Sequence, residues 1–416
     1  MLKNIFLFLG ILLLSSYNLT SQTIVSYDQS DGLLNNYVEC VAVDINDNVW
    51  FGTAFGVSMF DGNSWTSYNQ SSHPLMLSDN IKTITATSNG DIWIGTDYGA
   101  NKLIGGASGL TWIPYTDSDG LANNKVTSID EDPNGDLWFA HSSFSAGVSI
   151  FDGMNWSSYN YPDLPISGVC GTSFDSNGDK WFASPLDGIA HFDGNTFTNF
   201  TVNNGLLSNY STSICIDDND NKWLGSSSGM SVVNSNATQF SSHTIMYSLP
   251  PPDTLNPVVD IAKDSWDRIW TTIYVGYLAE GGVAFWNGSQ WNDYDHTDGI
   301  AGPNVKGLAI DSEDNIWIAT TTGVSKISAM PSQILNNYDQ SLNIYPNPSN
   351  SQISINVNNA NIDLVALYDN QGRLIIEFNN VSASSLDIDV SNISAGFYTL
   401  KVLSLSELKS RKLIIY

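Results

Sequence analysis

The sequence has few basic residues and few cysteines, and it contains only one long apolar run. Its 416 residues include 15 lysines and arginines against 42 aspartates and glutamates, which gives a formal net charge of -27. So few cations leave no surface suited to a phosphate backbone, and we therefore expect no nucleic-acid partner. Because 42% of the residues are apolar and 12% are aromatic, the chain can nevertheless bury a packed core.

The apolar run lies at the N-terminus, between Ile5 and Leu14. A lysine precedes it and small polar residues follow it, which predicts a secretory signal peptide over residues 1–22 rather than a buried helix. The first cysteine, Cys40, is too far from the run to carry a lipid. No later segment has the roughly 20 apolar residues of a membrane helix, so we expect no transmembrane segment in the mature chain.

What the sequence does contain is one octapeptide in seven versions, of which NGDIWIGT at 89–96 is typical. A tryptophan stands in the middle of every copy, and successive tryptophans are 42 to 47 residues apart. They are Trp50, Trp93, Trp138, Trp181, Trp223, Trp270 and Trp317. A period of this length predicts a repeat architecture.

The third repeat, residues 126–159, indicates what one unit is. It contains four short strand-like runs, and its last turn, FDGMNW, has the Asp-Gly pair of a tight hairpin. Four antiparallel strands per repeat make one blade of a β-propeller. The first strand alternates large and small side chains, which places it innermost, where blades converge. We expect the repeated tryptophan between adjacent blades; a ligand platform is the alternative.

The two ends of the repeat region carry complementary parts of one unit. The seventh repeat ends with GVSKI at 323–327 and lacks a fourth strand, whereas residues 24–38 align without gaps to residues 112–126. The N-terminal strand should therefore complete the last blade and leave no open sheet edge. We predict an all-β chain with a closed seven-bladed β-propeller over residues 23–330. An open solenoid would not explain the complementary ends.

The three cysteines do not look like disulfide partners. Cys170 and Cys215 fall on opposite faces of their predicted strands, and Cys40 lies four repeats from Cys215. We expect three buried free thiols, although an exported protein can form disulfides.

A linker over residues 331–341 leads to a different pattern over residues 342–416. Alternating runs such as QISINV and FYTLKV predict a small Ig-like antiparallel β-sandwich. YPNP at 345–348, LYDNQGRLI at 367–375, ISAGFYTLKV at 393–402 and the terminal KSRKLIIY resemble the C-terminal sorting domain of the type IX secretion system of Bacteroidetes. The residues that carry this sorting signal are Tyr345, Pro346, Asn347, Pro348, Gly372 and Gly396.

The resemblance to the sorting domain implies recognition by the type IX secretion machinery and passage across the outer membrane. The protein would then be attached to the cell surface or released. An ordinary adhesive sandwich at the end of a secreted protein is the alternative.

The repeats resemble the propeller repeats of two-component regulators, in which DGLxxNxV is followed by DxxGxIWIGTxxGV. Here DGLLNNYV and DGLANNKV carry the first part. The resemblance implies a ligand-binding propeller, with glycans among its ligands. Because no membrane span or kinase-length region follows the repeats, we expect no phosphotransfer by this chain.

No catalytic or metal-binding signature stands out. The five histidines are scattered over separate repeats, and no serine occupies a nucleophile elbow. His141 alone falls where ligands are expected, and a structural role is its simpler interpretation. Acidic turns such as DPNGD could wrap calcium, but each is short and lacks a distant bidentate acid, so we favour turn capping and expect no cofactor or metal.

Candidate ligand-binding residues fall in two sets of loops at one end of the blades. Loops that lead into first strands supply Asn36, Asn124, Lys125, Asn209 and Asn304, and loops between second and third strands supply Phe55, Tyr98, Phe144, Tyr274 and Tyr277. Amides bind hydroxyl groups and aromatic faces stack on sugar rings, so this rim predicts a saccharide surface. Each asparagine could equally cap its own loop.

Three functional hypotheses follow. The first is a non-catalytic propeller, secreted or on the cell surface, that binds a glycan or a protein on one rim. The second is a propeller enzyme of the polysaccharide-lyase or antibiotic-lyase type, with His141 and Lys125 as acid and base. The third is a structural surface protein. The lack of paired catalytic residues favours the first.

Overall fold

The computed structural model describes residues 23–105, 110–247, 256–274, 281–328, 342–345, 349, 351–357, 360–369, 373–394, 396–404 and 407–415. Residues 1–330 and 331–416 form two compact units, and each is described by itself. The predicted signal peptide and linker lie outside the described residues. No helix in the described ranges is both long and apolar enough to cross a membrane.

The first unit is a series of four-stranded antiparallel sheets, and each sheet is one blade. The N-terminal strand is β1 (Ile24–Tyr27). Blade 1 contains β2 (Val38–Val43), β3 (Val49–Thr53), β4 (Gly56–Phe60) and β5 (Trp65–Tyr68). Blade 2 contains β6 (Ile81–Ala86), β7 (Ile92–Thr96), β8 (Gly99–Ile104) and β9 (Thr111–Tyr115). Blade 3 contains β10 (Ser128–Glu131), β11 (Leu137–Ala140), β12 (Val148–Phe151) and β13 (Trp156–Tyr159).

The remaining blades repeat this order. Blade 4 contains β14 (Gly171–Phe174), β15 (Lys180–Ser184), β16 (Gly188–Phe192) and β17 (Phe197–Phe200), and a short 3-10 turn (Val202–Asn204) follows it. Blade 5 contains β18 (Ser211–Ile216), β19 (Lys222–Ser226), β20 (Gly229–Val233) and β21 (Phe240–His243). Blade 6 contains β22 (Val258–Lys263), β23 (Ile269–Ile273), β24 (Gly282–Trp286) and β25 (Trp291–Tyr294). Blade 7 contains β26 (Val305–Ile310), β27 (Ile316–Thr320) and β28 (Gly323–Ile327).

The N-terminal strand closes the ring. β1 pairs antiparallel with β28, from Ile24 opposite Ile327 to Tyr27 opposite Val324, and supplies the fourth strand of blade 7. Sequence predicted this closure, and the structure confirms a seven-bladed β-propeller.

The repeated tryptophans pack between neighbouring blades, as predicted. All seven are buried, with 1% to 6% of their surface exposed. Trp50 of blade 1 packs with Ile94 of blade 2, and Trp317 of blade 7 packs with Phe51 of blade 1. Each indole therefore fills the wedge toward the next blade, and the last one completes the circle.

In six of the seven blades, an aspartate six residues before the tryptophan ties the octapeptide to its turn. In blade 5, Asp217 Oδ1 accepts the backbone N–H groups of Asn219 and Asn221 at 2.9 and 2.8 Å, and Asp217 Oδ2 accepts the indole N–H of Trp223 at 2.9 Å. The equivalent indole bonds are made by Trp50, Trp138, Trp181, Trp270 and Trp317. The acidic turns are thus explained by hydrogen bonding within the chain.

The same turns also link one blade to the next. Ser312 of blade 7 donates both its backbone N–H and its hydroxyl to the carboxylate of Asp47 in blade 1, at 3.0 and 2.6 Å. Ser265 makes the same pair of bonds to Asp314. Asp47 and Asp314 have positive φ values of 60° and 61°, which point their carboxylates toward the preceding blade.

First strands lie innermost, as the alternation of large and small residues predicted. Those of blades 1 to 4 line a cavity of about 410 Å³, whose wall includes Ala42, Thr85, Asp130 and Thr172. We call the face with the loops that lead into first strands, and with the loops between second and third strands, the top face. Strand polarity places both sets of loops at the same end of every blade.

The three cysteines are free and lie in blades 1, 4 and 5. Burial raises the pKa of the thiols of Cys40, Cys170 and Cys215 to about 12. The Cys170 thiol lies 3.3 Å from the carbonyl oxygen of Ala183 and 3.2 Å from that of Ser211. Such thiols are inert at neutral pH.

The second unit has two antiparallel sheets around one core. One sheet has the order β29 (Leu342–Tyr345), β30 (Gln352–Val357), β33 (Ser385–Asp389). The other has the order β32 (Leu374–Ala383), β31 (Ile362–Asp369), β34 (Gly396–Ser404), β35 (Glu407–Ile415). Ile353 and Ile355 of the first sheet pack with Val365 and Leu400 of the second. This is the sandwich that the alternating runs predicted.

Candidate functional site

Exposed aromatic side chains follow the top face across three consecutive blades. Phe55 of blade 1, Tyr98 of blade 2 and Phe144 of blade 3 are 59%, 65% and 77% exposed. Leu186, in the equivalent loop of blade 4, is 52% exposed. We call Phe55, Tyr98 and Phe144 the aromatic arc.

In blades 1 and 2, the turns that carry the arc do not require aromatic residues. Thr53 Oγ1 accepts the N–H of Phe55 at 3.0 Å and donates to the carbonyl of Gly56 at 2.8 Å, and Thr96 holds Tyr98 in the same way. Blades 5 and 7 form this turn with Ser228 and Thr322 in place of the aromatic residue. A hydroxyl at the end of the second strand is therefore sufficient for the turn.

The asparagines of the rim act as loop caps. Asn36 Oδ1 accepts the backbone N–H of Gln29, seven residues earlier, at 2.8 Å. Asn124 and Asn209 make the same bond to Asp117 and Val202, also at 2.8 Å. Asn304 is partly buried, and its backbone carbonyl accepts the N–H of Thr321. The sequence left ligand contact and loop capping open for these asparagines. The hydrogen bonds show that Asn36, Asn124 and Asn209 cap their loops.

His141 is buried rather than displayed on the rim. Its Nδ1 lies 3.0 Å from the carbonyl oxygen of Lys125 and its Nε2 lies 2.8 Å from Ser149 Oγ. A carbonyl only accepts, so Nδ1 carries the proton and Nε2 accepts from Ser149. Burial lowers the pKa of His141, which keeps the ring neutral. The proposed acid and base pair of His141 and Lys125 is wrong, because the ring has no solvent-facing nitrogen and Lys125 offers it only a backbone atom.

A polar cluster that the sequence did not reveal lies at the mouth of the central channel. Lys306 of blade 7 has its Nζ 5.6 Å from the ring centre of Tyr37 in blade 1 and 5.2 Å from that of Tyr274 in blade 6. Glu39 Oε2 lies 3.7 Å from the same Nζ. Tyr274 was predicted as a site residue, but Glu39 and Lys306 were not. The sequence signal that could have found them is their shared position, because each is the second residue of its first strand.

Of the other predicted site residues, some lie within the described ranges and some lie outside them. Lys125 is exposed on the top face. Tyr277, Pro346, Asn347, Pro348 and Gly372 lie outside the described residues. Tyr345 ends β29 and Gly396 begins β34. Within the ranges that the structure describes, no group of three or more His, Cys, Asp or Glu side chains could hold a metal ion.

Two partly buried carboxylates lie along the inner strands. Asp260 Oδ1 accepts the N–H of Ile261 at 2.9 Å, and Oδ2 accepts that of Leu308 in blade 7 at 3.1 Å. Asp130 accepts the hydroxyl of Thr172 in blade 4 at 2.5 Å. Burial raises the pKa of Asp260 from 3.8 to about 6 despite these bonds, and the negative charge of Asp130 adds to the shift.

The pKa of Asp260 leads to a prediction on stability. The folded chain binds this proton more tightly than the unfolded chain, so the contribution of Asp260 is fully present below pH 3.8 and is lost as pH rises through about 6. Between pH 4 and pH 7, Asp260→Asn should therefore gain about 2 kcal/mol of unfolding free energy relative to the unchanged chain. Urea denaturation at each pH measures this difference.

Asp193→Asn is the control for the titration. Asp193 lies in an exposed turn, where hydrogen bonds from Thr196 and Asn195 lower its pKa. This variant should lose stability relative to the unchanged chain as pH rises. A difference between Asp260→Asn and the unchanged chain that stayed constant with pH would contradict the assignment.

Two family models match the chain. Residues 343–416 match the secretion system C-terminal sorting domain, and residues 32–55, 76–98 and 120–143 match the two component regulator propeller. Both resemblances noted in the sequence are confirmed. The sorting domain indicates export across the outer membrane to the cell surface or the extracellular space. No curated protein matches the chain.

Solved structures share the fold at low sequence identity. One is the extracellular domain of BT3049 from B. thetaiotaomicron, which is assigned to a hybrid two component system. It has 16% sequence identity and a TM-score of 0.62, and the match covers 95% of this chain and 57% of the BT3049 chain. PorZ of Porphyromonas gingivalis, an essential bacterial surface component of the type-IX secretion system, has 17% identity and a TM-score of 0.59, over 94% of this chain and 60% of its own.

A third similar structure is an enzyme. Virginiamycin B lyase of Staphylococcus aureus has 14% identity and a TM-score of 0.57, over 74% of this chain and 100% of its own. The chain thus spans less than two thirds of the first two proteins and the whole of the third. At these identities the likeness concerns the fold alone.

Proposed function

We propose that this exported propeller is a non-catalytic binding protein whose top face recognises an extracellular ligand, a glycan or a protein. The observation that carries the proposal is the aromatic arc. Three aromatic side chains, each more than half exposed, stand on consecutive blades of one face. Exposed aromatic rings that are grouped on one face are typical of binding surfaces.

The turns of blades 1 and 2 have no structural need for their aromatic residues. The turn beneath Phe55 and Tyr98 is held by a threonine hydroxyl, and blades 5 and 7 build it without an aromatic residue. An exposed ring that stabilises neither its turn nor a blade interface is best explained by contact with a ligand.

The surroundings of His141 do not support a role in catalysis. Both ring nitrogens of His141 are engaged inside blade 3. General acid and base catalysis requires a group within hydrogen-bonding distance of the substrate. The lyase hypothesis therefore lacks the acid and base pair, His141 and Lys125, that it requires.

A triple variant tests the function. Phe55→Ser, Tyr98→Ser and Phe144→Ser together should weaken binding on a glycan array, or cross-linking to a surface protein, by about tenfold or more, because each lost aromatic contact contributes roughly 0.5–1.5 kcal/mol. Its melting temperature should stay within about 2 °C of the unchanged chain, since exposed substitutions have small effects.

The matched control changes exposed apolar residues on the opposite face. Ile45, Met154 and Trp266 are 63%, 84% and 47% exposed. Their replacement by serine should leave binding intact. Equal loss in both variants, or no ligand for the well-folded unchanged chain in either assay, would favour the structural surface protein.

A further inference from the structure

The channel mouth brings together groups from three blades. Tyr37 stands just before the first strand of blade 1, Tyr274 just after the second strand of blade 6, and Lys306 near the start of the first strand of blade 7. The two tyrosine rings flank the ammonium group at 5.6 and 5.2 Å. The cluster is accessible, because Tyr37 is 39% exposed and the side chains of Lys306 and Glu39 are 20% and 27% exposed.

The charges of the cluster balance each other without a direct bond. Glu39 Oε2 and Lys306 Nζ are 3.7 Å apart, whereas the pair Lys102 and Asp91 elsewhere in the propeller is 2.7 Å apart. A direct hydrogen bond between these groups would measure about 2.7–2.9 Å. Lys306 stays protonated: burial lowers its pKa, but Glu39 and the two tyrosines raise it by more. The pair is an accepting carboxylate beside a donating ammonium.

Neighbouring hydroxyl groups of a sugar ring complement this pair. One hydroxyl can donate to Glu39 while the adjacent hydroxyl accepts from Lys306, and the C–H face of the ring can stack on a tyrosine. Since the pair carries no net charge, it offers no advantage to an anionic group over a neutral one.

We propose that Tyr37, Glu39, Tyr274 and Lys306 form a subsite for the vicinal diol of a neutral saccharide at the channel mouth. This inference rests on the proposed function, because it names the ligand class of the same face. It adds residues outside the aromatic arc, which can be tested separately.

The chain contains a matched control for the pair. Lys82 of blade 2 occupies the same strand position as Glu39 and Lys306, the second residue of the first strand. Its Nζ lies 3.6 Å from Asp97 Oδ2. Among the ring contacts of the described residues, none places Lys82 over an aromatic face. Lys82→Met therefore removes a similar pair without the tyrosine walls.

The first experiment compares three hexasaccharides by calorimetry with the full chain. A 1,4-linked glucan offers vicinal hydroxyls on every unit, a 1,3-linked glucan offers none on its internal units, and a 1,4-linked polyuronate adds a carboxylate to the diol. We expect the 1,4-glucan to bind at least tenfold more tightly than the 1,3-glucan. We also expect no gain from the polyuronate and little dependence on salt. Equal binding of both glucans, or tight salt-dependent binding of the polyuronate alone, would overturn the diol assignment.

The second experiment uses variants. Lys306→Met and Glu39→Gln should each weaken binding of the 1,4-glucan by about ten- to a hundredfold, as expected for lost hydrogen bonds to charged groups, while Lys82→Met keeps full affinity. Melting curves confirm that each variant folds. If the arc variant loses binding but Lys306→Met and Glu39→Gln do not, the proposed function stands and this subsite is wrong. If a protein partner binds and no saccharide does, the subsite is also wrong.

Discussion

A chain that begins at Asp28 is expected to melt roughly 10 °C below one that begins at Thr23. The shorter chain loses β1, whose residues from Ile24 to Tyr27 pair with β28. It also loses the ring of Tyr27, which packs within about 6 Å of Phe60 and Trp317. Four strand pairings and one partly buried ring amount to about 5 kcal/mol, and each kcal/mol shifts the melting temperature of a domain of this size by roughly 2 °C. Calorimetry measures the shift.

The shorter chain should also expose β28 as an open edge, so it should associate at micromolar concentration. A synthetic peptide of residues 22–32 provides the control, because it can pair with β28 and restore the melting temperature. A shorter chain that melts like the longer one and stays monomeric would show that β1 does not hold the ring closed.

The second large effect is expected at the aspartate of the octapeptide. Asp217→Ala removes the acceptor for two backbone N–H groups, for the amide of Asn221 at 2.8 Å and for the indole of Trp223 at 2.9 Å. Because Asp217 and Trp223 are only 8% and 6% exposed, these donors gain few bonds to water in exchange. We expect a loss of about 3–4 kcal/mol of unfolding free energy by urea denaturation.

Blade 2 contains the natural control for this substitution. Thr87 stands where the other blades have aspartate, and its hydroxyl makes only local bonds to Asn89 and Asp91. Thr87→Ala should therefore cost about 1 kcal/mol, well below the cost of Asp217→Ala. Equal costs at the two positions would mean that the carboxylate does not organise the turn and the tryptophan.

Much of the fold could be predicted because its signals are local and repeated. Asp-Gly turns set the hairpins, and the spacing of Trp50, Trp93 and their counterparts set the number of blades. The match between residues 24–38 and 112–126 assigned β1 to the last blade. The hydrogen bond between Asp217 and Trp223 could not be predicted. The sequence shows that both residues recur in the repeats, but it does not show that they are in contact.

The site was less predictable, because its chemistry depends on which side chains are already engaged. The aromatic arc was found from its place in the turns, and Phe144 and Tyr98 are exposed there. The amide of Asn36 looked equally suited to a ligand, but its oxygen is used by the loop seven residues earlier. His141 stood on the face expected for ligands, where a structural role was the simpler interpretation, and it is buried against Ser149.

The sequence by itself determined the repeat, the closure of the ring, the C-terminal sorting signal and the face on which loops converge. These features depend on pairing between neighbouring segments and on short motifs. The features of the propeller are therefore visible in each copy of the repeat. Only the tertiary structure decided that Tyr37, Tyr274 and Lys306 meet at the channel mouth. They come from the two ends of the ring, blade 1 on one side and blades 6 and 7 on the other, and they become neighbours only when the circle closes.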